Sequence, residues 1–329
     1  MTSVVPVLFL IFNRPETTAR VIEAIRAARP QRLYVAADGP RERPGEVERC
    51  DKARQIATAA DWPCQVYTLF RMENLGCRRA VSSAIDWFFE HEEEGIILED
   101  DCVPSADFFR FCSELLPRFR SDKRVMAICG SCYTKSTFDM PESYYFSYFA
   151  DVWGWATWRR AWRLYDRDLS RWPEFKQAGR LRAAFKGDHW REKWWSSYFD
   201  QTAASKIDTW DYPWIYTVIE QDGLACYPTR NLVSNLGWHV DAHLTKVEAG
   251  SDPGPLACRP HQPYYFPLRH PHEIVRCERV ERELEKLRFF YHPNSLFRRC
   301  VSRVFGLLPN SIRQHVITIR AALKTDSGR

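Results

Sequence analysis

Ile96, Ile97 and Leu98 run without a break into Glu99, Asp100 and Asp101. A short apolar run of this kind reads as a buried strand. The strand therefore ends in three consecutive carboxylates. In an extended chain Glu99 and Asp101 point to one side and Asp100 to the other. Adjacent anions oppose one another's ionisation unless a cation or hydrogen-bond donors relieve them. A hard divalent ion, held by one or two carboxylates together with substrate phosphates, would relieve them. Bulk water would too, if the run is only a solvated acidic turn; the acids from Glu90 to Glu94 already make the neighbourhood acidic.

The surrounding sequence sets that strand in a repeating pattern. Residues 5–12, 32–37, 64–70, 95–98 and 125–129 read as strands. Residues 17–28, 47–60, 74–89 and 106–119 read as helices, the first with Val21, Ile22, Ile25 and Ala28 on one face. Pro15 suits the first turn of its helix, and Asp38-Gly39-Pro40 is a turn signal. Such alternation predicts an α/β fold with a mostly parallel, doubly wound sheet and ligands at the C-terminal ends of its strands. The second half changes character. Ten of the 13 Trp fall between Trp153 and Trp214, and no long strand runs stand out. Trp158 and Trp162, like Trp190 and Trp194, are four apart and suit helix packing. Residues 234–271 read as a long loop and 273–291 as a charged helix. Two amphipathic helical patterns follow.

Charge separates the ends of the chain. The net charge is +5, but residues 294–329 hold seven basic residues and one acid, Asp326. That segment is +6 and the rest is −1, which argues against a nucleic-acid-binding body. The basic tail suits an anionic membrane surface, or packing on the body or on a second copy. The 11 Cys, odd in number and irregular in spacing, do not form a disulfide framework. Cys129 and Cys132 make a lone CxxC, which reads as buried thiols. The apolar N-terminus lacks a basic n-region and a small-residue cleavage site, so it reads as a strand and not a signal peptide. A cytoplasmic protein is expected, or one peripheral on the inner face of the cytoplasmic membrane.

Two further signals lie at strand and helix ends. Asn74-Leu75-Gly76-Cys77-Arg78-Arg79 opens a helix with two cations in its first turn, where the helix dipole disfavours them by roughly 0.3–1 kcal/mol. An anionic ligand would reverse that penalty; surface arginines would simply tolerate it. Asn13-Arg14 and Asp38-Gly39 end the first two strands and would face one crevice, where a base and ribose could be recognised.

Strand-Asn13-Arg14-Pro15, strand-Asp38-Gly39, Asn74-x-Gly76-x-x-x-Ala80 and strand-Glu99-Asp100-Asp101 occur in this order. In this the chain resembles nucleotide-sugar-dependent glycosyltransferases of GT-A fold, in particular N-acetylglucosaminyltransferase I and bacterial haemolysin-like glycosyltransferases. Val103-Pro104-Ser105-Ala106-Asp107-Phe108-Phe109 continues the similarity. So do Asp151-Val152-Trp153-Gly154-Trp155-Ala156-Thr157-Trp158, Thr209-Trp210-Asp211-Tyr212-Pro213-Trp214, and the stretch from Cys226 to Gly237. Coverage is about residues 4–240.

The resemblance implies a GT-A (Rossmann-like) catalytic domain over 1–240, with a nucleotide-sugar half (1–130) and an acceptor half (131–240). A loop or lid (241–272) and a helical, basic C-terminal extension (273–329) follow. It implies Mn2+ or Mg2+ on Asp101, with His243 as a second ligand; His239 is the neighbouring candidate. Glu99 and Asp100 would contact donor sugar and ribose. Asn13 and Asp38 would hold the nucleoside, with Arg14 nearby, and Arg78 would meet the diphosphate. Gly154 and Trp155 would lie near the donor sugar, with Trp153 and Trp214 as further stacking candidates. Asp211 matches the catalytic base, and Asp208 is the fallback because a single Asp stands where the family often has two acids.

The implied reaction is transfer of a hexosyl or N-acetylhexosaminyl group from a nucleoside-diphosphate sugar, UDP-sugar favoured, to a glycan or lipid-linked acceptor hydroxyl. One carboxylate takes the hydroxyl proton, which predicts inversion at the anomeric carbon. The setting implied is bacterial surface polysaccharide biosynthesis. A nucleotidyltransferase is the second enzyme class; it usually wants a Gly-rich loop with Arg and Lys after the first strand, and Asn13-Arg14-Pro15 is not one. The non-enzyme alternative is a sugar-nucleotide or glycan-binding module that has lost catalysis.

Overall fold

The computed structural model describes residues 5–134, 137, 139–237 and 261–288. The first half alternates as the sequence predicts: β1 (Val7–Ile11), α1 (Pro15–Ala28), β2 (Arg32–Ala37), α2 (Glu46–Thr58), β3 (Gln65–Phe70), α3 (Gly76–His91) and β4 (Glu94–Glu99). A short β5 (Cys102–Pro104), α4 (Ala106–Phe119) and β6 (Val125–Cys129) follow. β1 and β6 are buried along their whole length. Continuous apolar runs like these mark strands covered on both faces by helices. Pro15 takes the first position of α1, where its missing N–H costs nothing. Ser105 caps α4 by accepting from the Phe108 N–H at 3.2 Å.

The second half supplies β7 (Tyr144–Ser147), β8 (Trp155–Trp158), α5 (Arg159–Trp162), α6 (Trp172–Gln177), α7 (Arg180–Ala184), α8 (His189–Ala203), α9 (Asp211–Glu220), β9 (Leu224–Pro228), β10 (Val233–Asn235) and α10 (Glu278–Arg288). The sequence predicts no long strand run here, and none is found among the described residues. The four strands are three to five residues long, too short to show a period. Trp158 ends β8, so it and Trp162 do not share a helix. The expected 273–291 helix starts five residues late: residues 273–277 are described and not helical, and α10 begins at Glu278. Residues 289–329, with the basic tail, lie outside the described residues.

The main sheet has the order β3-β2-β1-β4-β8-β6-β9-β7. β3, β2, β1 and β4 are parallel neighbours. β8 runs antiparallel to both β4 and β6, so β6 and its parallel partner β9 share the direction of β4. Six of the eight strands thus point one way, with β7 and β8 reversed. The chain leaves β1 for β2 and β3 on one side, then crosses to β4 on the other. This reversal opens a crevice beyond the C-terminal ends of β1 and β4. A separate pair, β5 with β10, is antiparallel and packs beside the turn that carries Asp100 and Asp101.

Most of the tryptophans form core. Trp155 and Trp214 have no exposed surface. Trp155 stacks on Trp210 at 5.7 Å, and Trp162 lies 5.3 Å from Trp214. These rings join β8, α5 and α9, at the roughly 4.5–7 Å separations aromatic pairs prefer. The nine described cysteines, Cys129 and Cys132 among them, are free thiols. No helix among the described residues is long and apolar enough to cross a membrane.

Candidate active site

The acidic run lies at the switch point. Glu99 is the last residue of β4 and sits in register beside Leu10 of β1. Asp100 is buried, and its Oδ2 accepts from the Phe12 N–H at 3.0 Å. Arg14, just beyond β1, reaches across with one nitrogen. Its Nη1 donates to Asp100 Oδ1 at 3.1 Å and to Asp101 Oδ2 at 2.5 Å. Asp101 is also held from behind. Its carbonyl accepts from the Leu236 N–H at 2.7 Å, and a Cβ at Gly237 would come within 2.2 Å of Asp101 Oδ2. Only a residue without a side chain lets the backbone pass there.

Three carboxylates against one guanidinium leave the cluster short of positive charge. Burial and then the charges of Asp101, Asp100 and Asp211 hold the Glu99 carboxyl well above the ordinary carboxylate range. Burial pushes Asp100 up to about 6, although Arg14 pulls against it. The charge of Asp100, more than that of Asp101, holds the Arg14 guanidinium above its usual value. Nε and Nη2 of Arg14 have no hydrogen-bond partner among the described residues, and the side chain is 35% exposed.

The N-terminus of α3 is occupied by the protein itself. A helix leaves four N–H groups without internal partners. Asp38 takes two of them. It accepts from the Leu75 N–H at 2.9 Å and from the Gly76 N–H at 3.1 Å, besides its own neighbour Gly39 at 3.0 Å. Asp208, about 130 positions later, takes the other two: Cys77 N–H at 3.1 Å and Arg78 N–H at 3.2 Å. The anion that the first turn of α3 demands is therefore supplied in part by a side chain from the second half of the chain. The side chain of Arg78, expected to meet the diphosphate, is buried, and its Nη2 donates to the carbonyls of Thr202 at 2.8 Å and Ile207 at 2.6 Å. It ties down the segment that carries Asp208, and its Nε has no hydrogen-bond partner among the described residues.

Asp211 opens α9 and is partly exposed. Its Oδ1 accepts from the Thr209 hydroxyl and, at 2.9 Å, from the Tyr212 N–H. Its Oδ2 has no hydrogen-bond partner among the described residues. Asp211 is close enough for its charge to raise both Glu99 and the Cys77 thiol. The fallback base, Asp208, is spent on the α3 cap.

The expected sugar platforms change. Trp155 and Trp214 are sealed in the aromatic core and present no face to a ligand. Trp153 is partly exposed, with its ring 5.9 Å from that of Tyr133. Gly154 has φ +67° and its carbonyl accepts from the Gly130 N–H at 2.8 Å; a Cβ there would meet Val233 at 2.7 Å. It serves a close backbone approach. His239 and His243 lie outside the described residues.

One element of the site was not foreseen. Glu46, the first residue of α2, is completely buried. It accepts from Asn13 Nδ2 at 2.7 Å, from the Arg41 N–H at 2.7 Å and from the Arg41 guanidinium at 2.6 Å. The Arg41 pairing, against the cost of burial, draws its carboxyl down to about 2. The arginine in turn lies 5.0 Å from the centre of the Phe12 ring. The sequence signal, a lone Glu after Pro44-Gly45, is indistinguishable from any acidic first turn of a helix.

The donor set decides which cation would fit. Glu99, Asp100, Asp101 and Asp211 offer oxygen, which suits a hard divalent ion. Among the described residues, however, no three His, Cys, Asp or Glu side chains converge to enclose one. The described residues thus fit an ion that takes further ligands from elsewhere, as substrate phosphates could supply.

No family model matches the sequence, and no curated protein matches it. Several solved structures are similar. One is the mannosyltransferase PcManGT from Pyrobaculum calidifontis in complex with GDP-Man and Mn2+ (14% identity, TM-score 0.30, 47% of this chain and 44% of that one). Another is GalNAc-T7 with UDP, GalNAc and Mn2+ (10%, 0.41, 69% and 43%). A third is UDP-glucose pyrophosphorylase complexed with UDP-glucose (8%, 0.29, 49% and 78%). The chain spans less than half the length of the first two.

Proposed function

We propose that the protein is a glycosyltransferase that moves a sugar from a nucleoside diphosphate, with a UDP-sugar as the favoured donor, to an acceptor hydroxyl with inversion. One observation carries this reading. The sheet's switch point gathers Asn13, Arg14, Asp38 and the Glu99-Asp100-Asp101 run, while Asp211 meets the same crevice from the other half of the chain. A nucleotide-type crevice with a separate, half-anchored carboxylate suits a single displacement.

In this reading Asn13 and Asp38 hold the nucleoside, and Glu99 and Asp100 receive the hydroxyls of sugar and ribose. Arg14 takes over the diphosphate contact once expected of Arg78, since its Nε and Nη2 remain available while Nη1 is anchored. Asp101 would hold Mn2+ or Mg2+, whose charge when bound offsets that building on the leaving diphosphate. Asp211 acts as base. Thr209 and Tyr212 fix Oδ1, so Oδ2 is the atom that takes the proton of the attacking hydroxyl. A glycan or lipid-linked acceptor in bacterial surface polysaccharide synthesis, and a membrane-facing role for the basic tail, extend the same proposal.

Thermal-shift titration with UDP, GDP and CDP, with and without Mn2+, tests it. Stabilisation by one nucleotide that requires the metal and disappears in Asp101→Ala is the expected outcome. No response to any nucleoside diphosphate would overturn the proposal.

A further inference from the structure

The contacts of Glu46 have a chemical consequence for the side chain of Asn13. An amide side chain offers an acceptor oxygen on one side and a donor NH2 on the other. Which way it points is ordinarily a choice made from its partners. Here the partner leaves no choice. Glu46 is a carboxylate that only accepts, and it sits 2.7 Å from Asn13 Nδ2. Turning Asn13 over would set oxygen against oxygen in a buried place. The Asn13 oxygen therefore takes the outward position, and it has no hydrogen-bond partner among the described residues. Asn13 itself is partly exposed at the end of β1.

Glu46 is itself immobilised. Arg41 binds it through its backbone N–H as well as its guanidinium, which closes the segment between β2 and α2 over the carboxylate. The guanidinium rests above Phe12, the residue before Asn13. The segment after β2 and the end of β1 are thus locked together by one buried side chain that meets the crevice only through Asn13.

We infer that Glu46 is a positioning residue that sets base selection, by holding Asn13 with its oxygen and not its NH2 toward the nucleoside. The inference rests on the reading of Asn13 and Asp38 as the nucleoside subsite. The acceptor offered is then the Asn13 oxygen, since both Asp38 oxygens are filled by the Gly39, Leu75 and Gly76 N–H groups. Set opposite position 3 of the base, that oxygen favours uracil, which carries an N–H at N3. Cytosine, whose N3 is itself an acceptor, is disfavoured.

The test is the ratio of UDP to CDP affinity, measured by calorimetry with Mn2+ present. Glu46→Gln preserves shape and reverses one polarity. The Arg41 backbone N–H cannot turn, so the Gln oxygen stays against it, and the Gln NH2 replaces the oxygen that accepted from both Asn13 and Arg41 Nη2; the part-exposed Arg41 guanidinium can swing away from it, and Asn13 is the group left facing the NH2. Asn13 then turns over and presents its own NH2. The unaltered protein is expected to prefer UDP by tenfold or more, and Glu46→Gln to reduce that preference at least fivefold. In an Asn13→Ala background Glu46→Gln should leave the ratio where Asn13→Ala alone put it. If Glu46→Gln weakens both nucleotides equally, Glu46 merely holds the loop and the inference fails while the nucleotide site stands. Equal affinity of the unaltered protein for UDP and CDP has the same meaning. If the unaltered protein binds no nucleotide, the reading of the site falls and this inference with it.

Discussion

The shared cap of α3 makes Asp208→Asn a sharp perturbation. Asp208 accepts from two backbone N–H groups, one with each oxygen. Asparagine keeps the shape but replaces one acceptor with a donor, so one of Cys77 N–H and Arg78 N–H faces an NH2. Loss of a capping side chain costs about 1 kcal/mol, with a range of roughly 0.5–2. Removal of the negative charge from the positive end of the helix adds roughly 0.3–1 kcal/mol. The sum is about 1–3 kcal/mol, and at roughly 2–4 °C per kcal/mol the melting temperature should fall by several degrees. Native-state hydrogen exchange followed by NMR reads the effect residue by residue. The Cys77 and Arg78 amides should lose protection, while Leu75 and Gly76, held by Asp38, keep theirs. Asp38→Asn should give the opposite pattern. Because Asp211 follows Asp208 by three residues, turnover should drop while nucleotide affinity stays within about twofold. Equal deprotection of all four amides in both variants would refute the division of the cap between the two halves. Unchanged turnover in Asp208→Asn would refute the idea that the cap sets the base.

Gly76 has φ +78°, and a Cβ there would lie 2.8 Å from Asp208 Oδ2; Gly76→Ala should cost roughly 1–2 kcal/mol from the backbone alone, and a chemical-denaturation midpoint equal to wild type would contradict this. Arg191 is buried against Glu281 at 2.9 Å and Glu285 at 2.8 Å, joining α8 to α10. Arg191→Ala leaves buried carboxylates short of a cation and should cost about 3–5 kcal/mol, read as a lower urea midpoint; a loss under about 1 kcal/mol would show that Arg276, which also pairs with Glu281, is enough. The Glu46 carboxyl is lowered in the folded state to about 2 from 4.5. Its stabilisation is therefore complete above about pH 4.5 and is lost as pH falls toward 2. The stability gap between wild type and Glu46→Gln should narrow over that window, and a gap constant from pH 6 to pH 2.5 would argue against the pairing with Arg41.

The first half of the fold, through β6, could be read because its signals are local. β2, α4 and β6 have the bounds their apolar runs suggested, and the acidic run sits at the strand end where the run of Ile96, Ile97 and Leu98 put it. The second half could not be read in the same way. β7, β8, β9 and β10 are short and flanked by aromatics that suit helix and strand alike. Trp155 and Trp214 stand beside candidate site residues in the sequence, yet their indole rings fill the gap between sheet and helices, and nothing local distinguishes a ring that faces sugar from one that faces core.

Arg78 shows why the site itself was only partly visible. The sequence displays a glycine and two arginines at a helix start, a pattern that asks for an anion. It does not say whose anion. A phosphate and the carboxylate of Asp208 satisfy the same N–H groups, and the carboxylate is supplied from about 130 positions away. In the proposed reading the diphosphate then falls to Arg14, which a reading by motif sets beside the base. The division also gives two aspartates so near in sequence different surroundings. Asp208 has both oxygens bound to backbone, whereas Asp211 has one bound and one open. Only the second arrangement can accept a proton without breaking a helix cap.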